Sequence, residues 1–428
     1  MGFLNSLDAA RKQDKEDALR HFRNEFLIPV VNHNEAIYFL GNSLGLQPKR
    51  TEAAIKQVLA QWQQYGVEAF FKSSNPWLSF HDQLTKPLAE IVGAMPDEIV
   101  VMNQLTVNLH LMLASFYQPH GARTKIICEA KAFPSDQYML ETHLRQRGLN
   151  PDDHIIEVAP RDGETTIRHE AILQAIEENK DTIALLFWGG VNYYTGQVFN
   201  MNALTEAAHA AGALAGFDLA HAAGNVPLQL HDWNVDFACW CSYKYLNAGP
   251  GAVAGTFVHQ RHHHKKLQRF GGWWGYEKNA RFKMQKGFQP IASAEGWALS
   301  TPSPILFAAH LASLQIFSEA GMETILNKSR QQSRFLFFVL HEVLKKFSTT
   351  PFTILTPENE TERGCQVSIF MPGIGRRVFD WLTENNMFAD WREPDVIRIA
   401  PVPLYNTIED VWRFGMLLEQ ALQNIQQA

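Results

Sequence analysis

Cysteine is scarce here: four residues, at positions 128, 239, 241 and 365, in a chain of 428. That number excludes a disulfide scaffold, and two cysteines spaced as 239 and 241 do not by themselves make a structural zinc site. They alternate inside Phe237-Ala-Cys-Trp-Cys-Ser242, which reads as a buried strand. Positive charge is not in excess either. Lys and Arg total 38 against 44 Asp and Glu, a formal charge of -6, which argues against a general binder of nucleic acid or acidic membrane. The basic run Arg261-His-His-His-Lys-Lys266 is the local exception. It reads as a solvated connection, with an anion-facing or metal-binding role as the lesser alternative. No stretch is long and apolar enough to span a bilayer, and residues 1–23 lack the apolar core of a secretion signal. The expected location is a reducing cytoplasm. Neither GxGxxG nor GxxxxGK[ST] is present, so no dinucleotide or triphosphate site is indicated.

What is present is a large supply of core. Hydrophobic residues make up 46%, enough for a large domain and a smaller one. Short apolar runs at 124–128, 182–188, 213–217, 236–242 and 252–258 alternate with amphipathic segments such as 201–212, the pattern of a mostly parallel sheet covered on both faces. Residues 50–65 form an expected helix with Ile55, Val58, Leu59 and Trp62 inward. Beyond about 305 the pattern changes to a long helical region, 305–346. Strands at 366–370 and 396–400 follow, then a last helix capped by Thr407 with Asp410 at its third position. The expected division is an N-terminal segment 1–60 packing with the small domain, a large α/β domain 61–304, and an α+β domain 305–428.

Ligands of open parallel sheets bind beyond the carboxyl ends of the strands. Asp218 stands at one such end with His221 three residues on; by itself an aspartate there also fits a simple turn. Lys244 stands at another, flanked by Tyr243 and Tyr245 and followed by Asn-Ala-Gly-Pro-Gly251. A crowded lysine amine can lose its proton and bond to an aldehyde, and a carboxylate facing the pyridine nitrogen of such a cofactor makes the ring an electron sink. Asn103-Gln-Leu-Thr106 enters an apolar helix whose N-terminus suits a phosphate, although Thr106 also reads as an ordinary cap. Phe133, in Phe133-Pro-Ser-Asp136, can cover a planar ring or pack in the core. Arg398, on an apolar strand, requires a carboxylate, either a structural Asp or Glu or that of an amino-acid substrate.

Together these segments resemble the kynureninase family of pyridoxal-phosphate enzymes, within the aspartate-aminotransferase-like group. The resemblance is carried by Gly216-Phe-Asp-Leu-Ala-His-Ala-Ala-Gly-Asn225, Leu230-His-Asp-Trp233 and, most specifically, Phe237-Ala-Cys-Trp-Cys-Ser-Tyr-Lys-Tyr-Leu-Asn-Ala-Gly249. Gly41-Asn-Ser-Leu-Gly-Leu-Gln-Pro48, Tyr194-Thr-Gly-Gln197, Arg281-Phe-Lys-Met284 and Ala400-Pro-Val-Pro-Leu-Tyr405 extend it from near residue 35 almost to the end. It implies the fold type I transferase-like architecture, a mostly parallel seven-stranded sheet in the large domain beside a smaller α+β domain. It also implies pyridoxal 5'-phosphate, no metal, and a homodimer with sites at the subunit interface. The implied activity is hydrolysis of L-kynurenine or its 3-hydroxy form to anthranilate or 3-hydroxyanthranilate and L-alanine.

By the same resemblance Lys244 carries the cofactor, Asp218 faces its pyridine nitrogen, and Tyr243, Thr106 and the backbone at Leu105 hold its phosphate. Tyr243 would also donate a proton. Phe133 stacks on the ring, Pro134 and Ser135 adjoin it, and Asp136 and His221 complete its surroundings. Trp273 reaches the phosphate and the substrate, and Arg398 clamps the substrate's α-carboxylate. Three positions depart from the family pattern: Gly189 stands for a serine or threonine, Thr301, at the substrate's aromatic end, for an asparagine, and Val67 for a histidine. They leave the choice between the two substrates open. The competing expectations are a cysteine desulfurase or aminotransferase on the same scaffold, or a non-catalytic binding relative.

Overall fold

Seven strands, numbered in chain order, make the central sheet of the computed structural model, which describes residues 3–350 and 352–427. They are β1 (Ile99–Val101), β2 (Lys125–Glu129), β3 (Ile155–Val158), β4 (Ile183–Gly189), β5 (Leu214–Asp218), β6 (Phe237–Trp240) and β7 (Gly255–Val258). Their order across the sheet is β1-β7-β6-β5-β4-β2-β3. All pairs from β6 to β3 are parallel; β7 runs antiparallel to both β6 and β1. Side chains alternate between two cores, which is why these strands are apolar throughout. In β4, Leu186 and Trp188 enter one core while Leu185 and Phe187 enter the other.

Sequence and structure differ in several places. β1 and β3, three and four residues long, escape the reading of apolar runs. The expected helix 305–346 is two, Pro304–Ala320 and Met322–Lys346, bent by 81°. The break is Gly321, at φ 74, a left-handed conformation in which a side chain is strained. The helix Arg50–Tyr65 buries Val58 as expected, but Leu59 and Trp62 are 43% and 61% exposed. Gln61 is buried in their place because its amide oxygen accepts from the Trp77 indole at 3.0 Å. A satisfied amide tolerates burial, which apolar spacing alone does not reveal.

A second sheet, β8 (Thr353–Ile354), β9 (Val367–Phe370), β10 (Asp390–Arg392) and β11 (Val396–Ile399), is antiparallel in the order β8-β9-β11-β10. Its core joins Val367, Ile369, Ile397 and Ile399 to Val411, Phe414 and Leu418 of the last helix, Ile408–Gln427. That helix starts with the reciprocal cap read from the sequence. Thr407 Oγ1 accepts from the Asp410 amide at 2.9 Å, and Asp410 Oδ2 accepts from the Thr407 amide at 3.0 Å. The N-terminal segment joins this part, Ile37–Tyr38 pairing with Met387–Phe388. No single helix among the described residues is long and apolar enough to cross a membrane.

The first half of the basic run is absorbed by the fold, while His264, Lys265 and Lys266 are exposed, as expected of a solvated connection. Arg261 and His262 both pair with the buried Asp236, and His263 Nε2 donates to the Val258 carbonyl at 3.0 Å. Nearby, Glu98 contacts His231 and His259, but its two oxygens already accept from the Gln260 and Met95 amides and His231. Through these bonds Glu98 ties three loops together.

His310, within Pro304–Ala320, is fully buried, and neither ring nitrogen finds a partner among the described residues. Burial pushes its imidazole down to about 3. A depressed folded-state value means stability is fully present above the ordinary histidine range and is lost as pH falls toward 3, on the order of 1.4 kcal/mol for each unit below ~6.5. His310→Leu is therefore expected to raise the melting temperature at pH 7 and to flatten its fall between pH 7 and 5. A variant less stable than the parent at pH 7 would contradict the unpaired burial.

Candidate functional site

The carboxyl ends of β2, β4 and β5 and the turn after β6 surround a cavity of about 500 Å³. Asp218 closes β5 and is 7% exposed; its Oδ1 accepts from the Ala220 amide at 2.7 Å. Lys244 follows β6, with Nζ 2.8 Å from His221 Nε2 and 5.9 Å from the Phe133 ring centre. Burial holds His221 well below the ordinary imidazole range, so it is neutral and accepts from the lysine. The loop after β6 lies against the N-terminal segment: the Gly45 amide donates to the Tyr243 carbonyl at 2.8 Å. A Cβ on Gly45 would come within 2.4 Å of the Lys244 carbonyl oxygen, so only glycine permits this approach.

The floor of the cavity is acidic. Asp136 and Asp218 touch, and burial followed by their mutual repulsion raises Asp136 well above the carboxylate range; burial raises Asp218 as well. Burial also pushes Glu129, the last residue of β2, up to about 7. Such a floor calls for a positive partner. At the opposite wall the helix Leu105–Phe116 begins without a side-chain cap, and Gln104, Leu105 and Thr106 border the cavity. Its first N–H groups and positive end suit an anion.

Of the residues singled out in the sequence, Leu105, Thr106, Phe133, Ser135, Asp136, Gly189, Asp218, His221, Tyr243 and Lys244 border this one cavity. Pro134 does not; it is the first residue of the helix Pro134–Gln146 and sets the position of Phe133. Trp273 and Thr301 border a separate depression with Phe270 and Leu299 and do not reach the cavity within this chain. Arg398 is 1% exposed and bound to Asp390 and the Tyr193 carbonyl, the structural alternative for its charge. Instead Arg392, across from Val396 on β10, borders the cavity. Sequence reasoning also missed Asn42, Ser43, Glu129 and Tyr193. Glu129 was within reach, since it ends an apolar strand just as Asp218 does. Arg392 carried no signal, because its strand is short and half-exposed.

The arrangement fits pyridoxal phosphate on this chain's own chemistry. A lysine amine and a buried carboxylate in want of a cation face one cavity, an aromatic ring lies open beside them, and an uncapped helix N-terminus supplies phosphate donors.

Comparison with known proteins agrees. The model of the kynureninase C-terminal domain matches residues 325–418. A kynureninase from Flavobacterium johnsoniae is 51% identical over 423 residues, covering 99% of each chain. One from Koribacter versatilis is 47% identical over 407 residues, 95% of each. Among solved structures, the apo cysteine desulfurase from Thermococcus onnurineus superposes with a TM-score of 0.77 at 17% identity, covering 94% of this chain and 98% of that one. The cystine C-S lyase C-DES, solved with cysteine persulfide, gives 0.76 at 19% identity, covering 90% and 97%. These structures share the fold type I architecture. With half its residues identical to a relative over nearly their full common length, the chain belongs to the kynureninase family.

Proposed function

We infer that this protein hydrolyses L-kynurenine to anthranilate and L-alanine with pyridoxal phosphate. The observation that carries the reading is the meeting of Lys244 and Asp218, from two strand ends, at one cavity. When bound, pyridoxal phosphate supplies an aldehyde that bonds to amines and a protonated ring that draws electron density from the substrate's α-carbon.

The chain's residues then divide the work. Lys244 would hold the cofactor through its amine, and the same amine, when free, would move the proton of the substrate's α-carbon. Asp218 keeps the proton on the pyridine nitrogen. The amides at Leu105 and Thr106, with the Thr106 and Tyr243 hydroxyls, bind the phosphate. Phe133 covers the ring, with Pro134 holding it in place and Ser135, Asp136, Gly189 and His221 around the cofactor. Burial pushes the Tyr243 hydroxyl up, so it stays protonated and can donate a proton as the bond from the β-carbon to the carbonyl carbon breaks. Water contributes its hydroxyl to the new aryl carboxylate.

Asp390 and the Tyr193 carbonyl hold two of the Arg398 nitrogens, and its Nε, without a partner among the described residues, is the donor left for the α-carboxylate, with the Arg392 guanidinium bordering the cavity beside it. Arg398→Ala is expected to raise KM at least tenfold, an effect on the order of 1.4 kcal/mol or more, with a smaller change in kcat. An unchanged KM in steady-state assays would remove Arg398 from substrate binding.

The protein acts as a homodimer in this reading. Trp273, Phe282 and Met284 are 43%, 51% and 71% exposed, and Phe71 packs its ring 6.0 Å from Phe282, an apolar surface fit for a second copy. Trp273 and Thr301 would then border the partner's cavity, which explains their separation from Lys244 within one chain. A cytoplasmic location fits the four cysteines, all free thiols. They are also all buried, and burial pushes each up, so the mobile reactive thiol of a desulfurase is not among them. The deciding assay compares alanine release from kynurenine, 3-hydroxykynurenine and cysteine. Release from cysteine alone would overturn the assignment.

A further inference from the structure

Between β4 and Phe199 the chain makes a tight loop, closed by the Asn192 amide donating to the Gln197 carbonyl at 2.8 Å and the Gly196 amide to the Asn192 carbonyl at 2.9 Å. The Asn192 side chain fills it. Its Oδ1 accepts from the Tyr194 amide at 2.9 Å, the Thr195 amide at 2.7 Å and the Thr195 hydroxyl at 3.0 Å. Two backbone donors fix which end of the amide is oxygen, so Nδ2 must point the other way, and there it donates to Glu129 Oε1.

The outer edge of the same loop holds the second sheet. The Tyr193 carbonyl accepts from Arg398 and from Gln366 Nε2, the latter at 3.0 Å. The Tyr194 carbonyl accepts from the Ser368 hydroxyl at 2.6 Å, and the Thr195 carbonyl from the Thr356 hydroxyl. Three successive carbonyls thus join β9, β11 and their neighbours to the wall of the cavity. The Tyr193 ring stands edge-on to Phe133, 5.2 Å away at 82°.

We propose that Glu129 is a positioning residue for the reaction: through Asn192 it fixes the loop 191–197, and thereby the place of Arg398 and Tyr193 relative to Lys244. This rests on the reading of Arg398 as the carboxylate clamp. Glu129 is 4% exposed and borders the cavity, so its carboxyl is anchored in β2, the rigid sheet, while its partner belongs to a loop. Gly189 leaves it room, since a Cβ there would lie 3.3 Å from Glu129 Oε2. The charge of Glu129 is not what the loop needs. Asn192 requires an acceptor, which an amide oxygen supplies equally well, and burial beside Asp218 already favours the neutral form.

The test uses holoenzyme of five variants, Glu129→Ala, Glu129→Gln, Asn192→Ala, the double variant Glu129→Ala with Asn192→Ala, and Arg398→Ala, with kcat and KM for kynurenine and the visible absorption of bound cofactor. Glu129→Ala and Asn192→Ala are expected to raise KM about tenfold or more and kcat to change less than threefold. The double variant should be no worse than either single one, because both break the same link. Glu129→Gln should restore KM to within threefold of the parent, and the cofactor's absorption should be unchanged throughout. A parental KM in Glu129→Ala beside a raised KM in Arg398→Ala would overturn the role of Glu129 alone. A parental KM in Arg398→Ala would overturn the clamp and this inference with it. Glu129→Gln as impaired as Glu129→Ala would overturn the hydrogen-bond account. Should Glu129→Ala not fold, Asn192→Ala decides by the same criterion.

Discussion

Lys244→Ala is expected to abolish turnover, by a factor on the order of 10⁴ or more, because one substitution removes both the covalent anchor and the proton-moving base. The protein should still fold. Lys244 borders a cavity and its amine bonds to His221 rather than to an acid; its charge favours the ionised Asp218, but burial already raises that carboxyl, which can take up a proton when the lysine is gone. The purified variant should lose the visible absorption of lysine-bound cofactor while keeping the parental melting temperature without cofactor. Activity within tenfold of the parent would remove Lys244 from the mechanism. Loss of activity together with collapse of the apo protein would leave the assignment to the absorption spectrum of the refolded or stabilised variant.

Asp218→Asn should separate binding from chemistry. The amide cannot hold the pyridine proton, so kcat is expected to fall roughly 10²- to 10³-fold, the scale for losing one preorganised electrostatic contact. The apo protein should respond in the opposite sense. Three carboxyls, Glu129, Asp136 and Asp218, crowd the floor; burial raises each of them, and repulsion from Asp218 raises Glu129 and Asp136 further. Removing one relieves that repulsion, so the apo variant should melt at or above the parental temperature at pH 7, while the gain in melting temperature on adding pyridoxal phosphate shrinks. Parental kcat would show that Asp218 does not face the ring nitrogen. An apo variant markedly less stable than the parent would show that the floor is held by a cation.

The contrast between Glu129 and Arg398 explains how far the sequence could be read. Strand ends are legible because an apolar run that stops at a polar residue marks both the strand and its functional edge; β2, β4, β5 and β6 all lie where the runs placed them. Arg398 was legible as a charge requiring a partner, but not which partner. Register does that, setting Asp390 opposite Arg398 on β10 and bringing the Tyr193 carbonyl from a loop 205 positions away. Trp62 and Leu59 were misread for a related reason: spacing reveals a stripe, and only packing decides whether the protein's own core or another surface covers it.

The order of apolar runs, the helix caps, the lysine and aspartate at two strand ends and the long family resemblance were fixed by local chemistry, and the sequence carried them by itself. Tertiary structure alone decided which of these residues meet. It gathered ten of them at one cavity, set Trp273 and Thr301 elsewhere, and tied the second sheet to the first through a loop hung on Glu129. The physical reason is range. Propensity, capping and alternation act over a few residues, whereas a cavity is built from strand ends and loops up to some hundreds of residues apart, whose distances the packing of both cores sets.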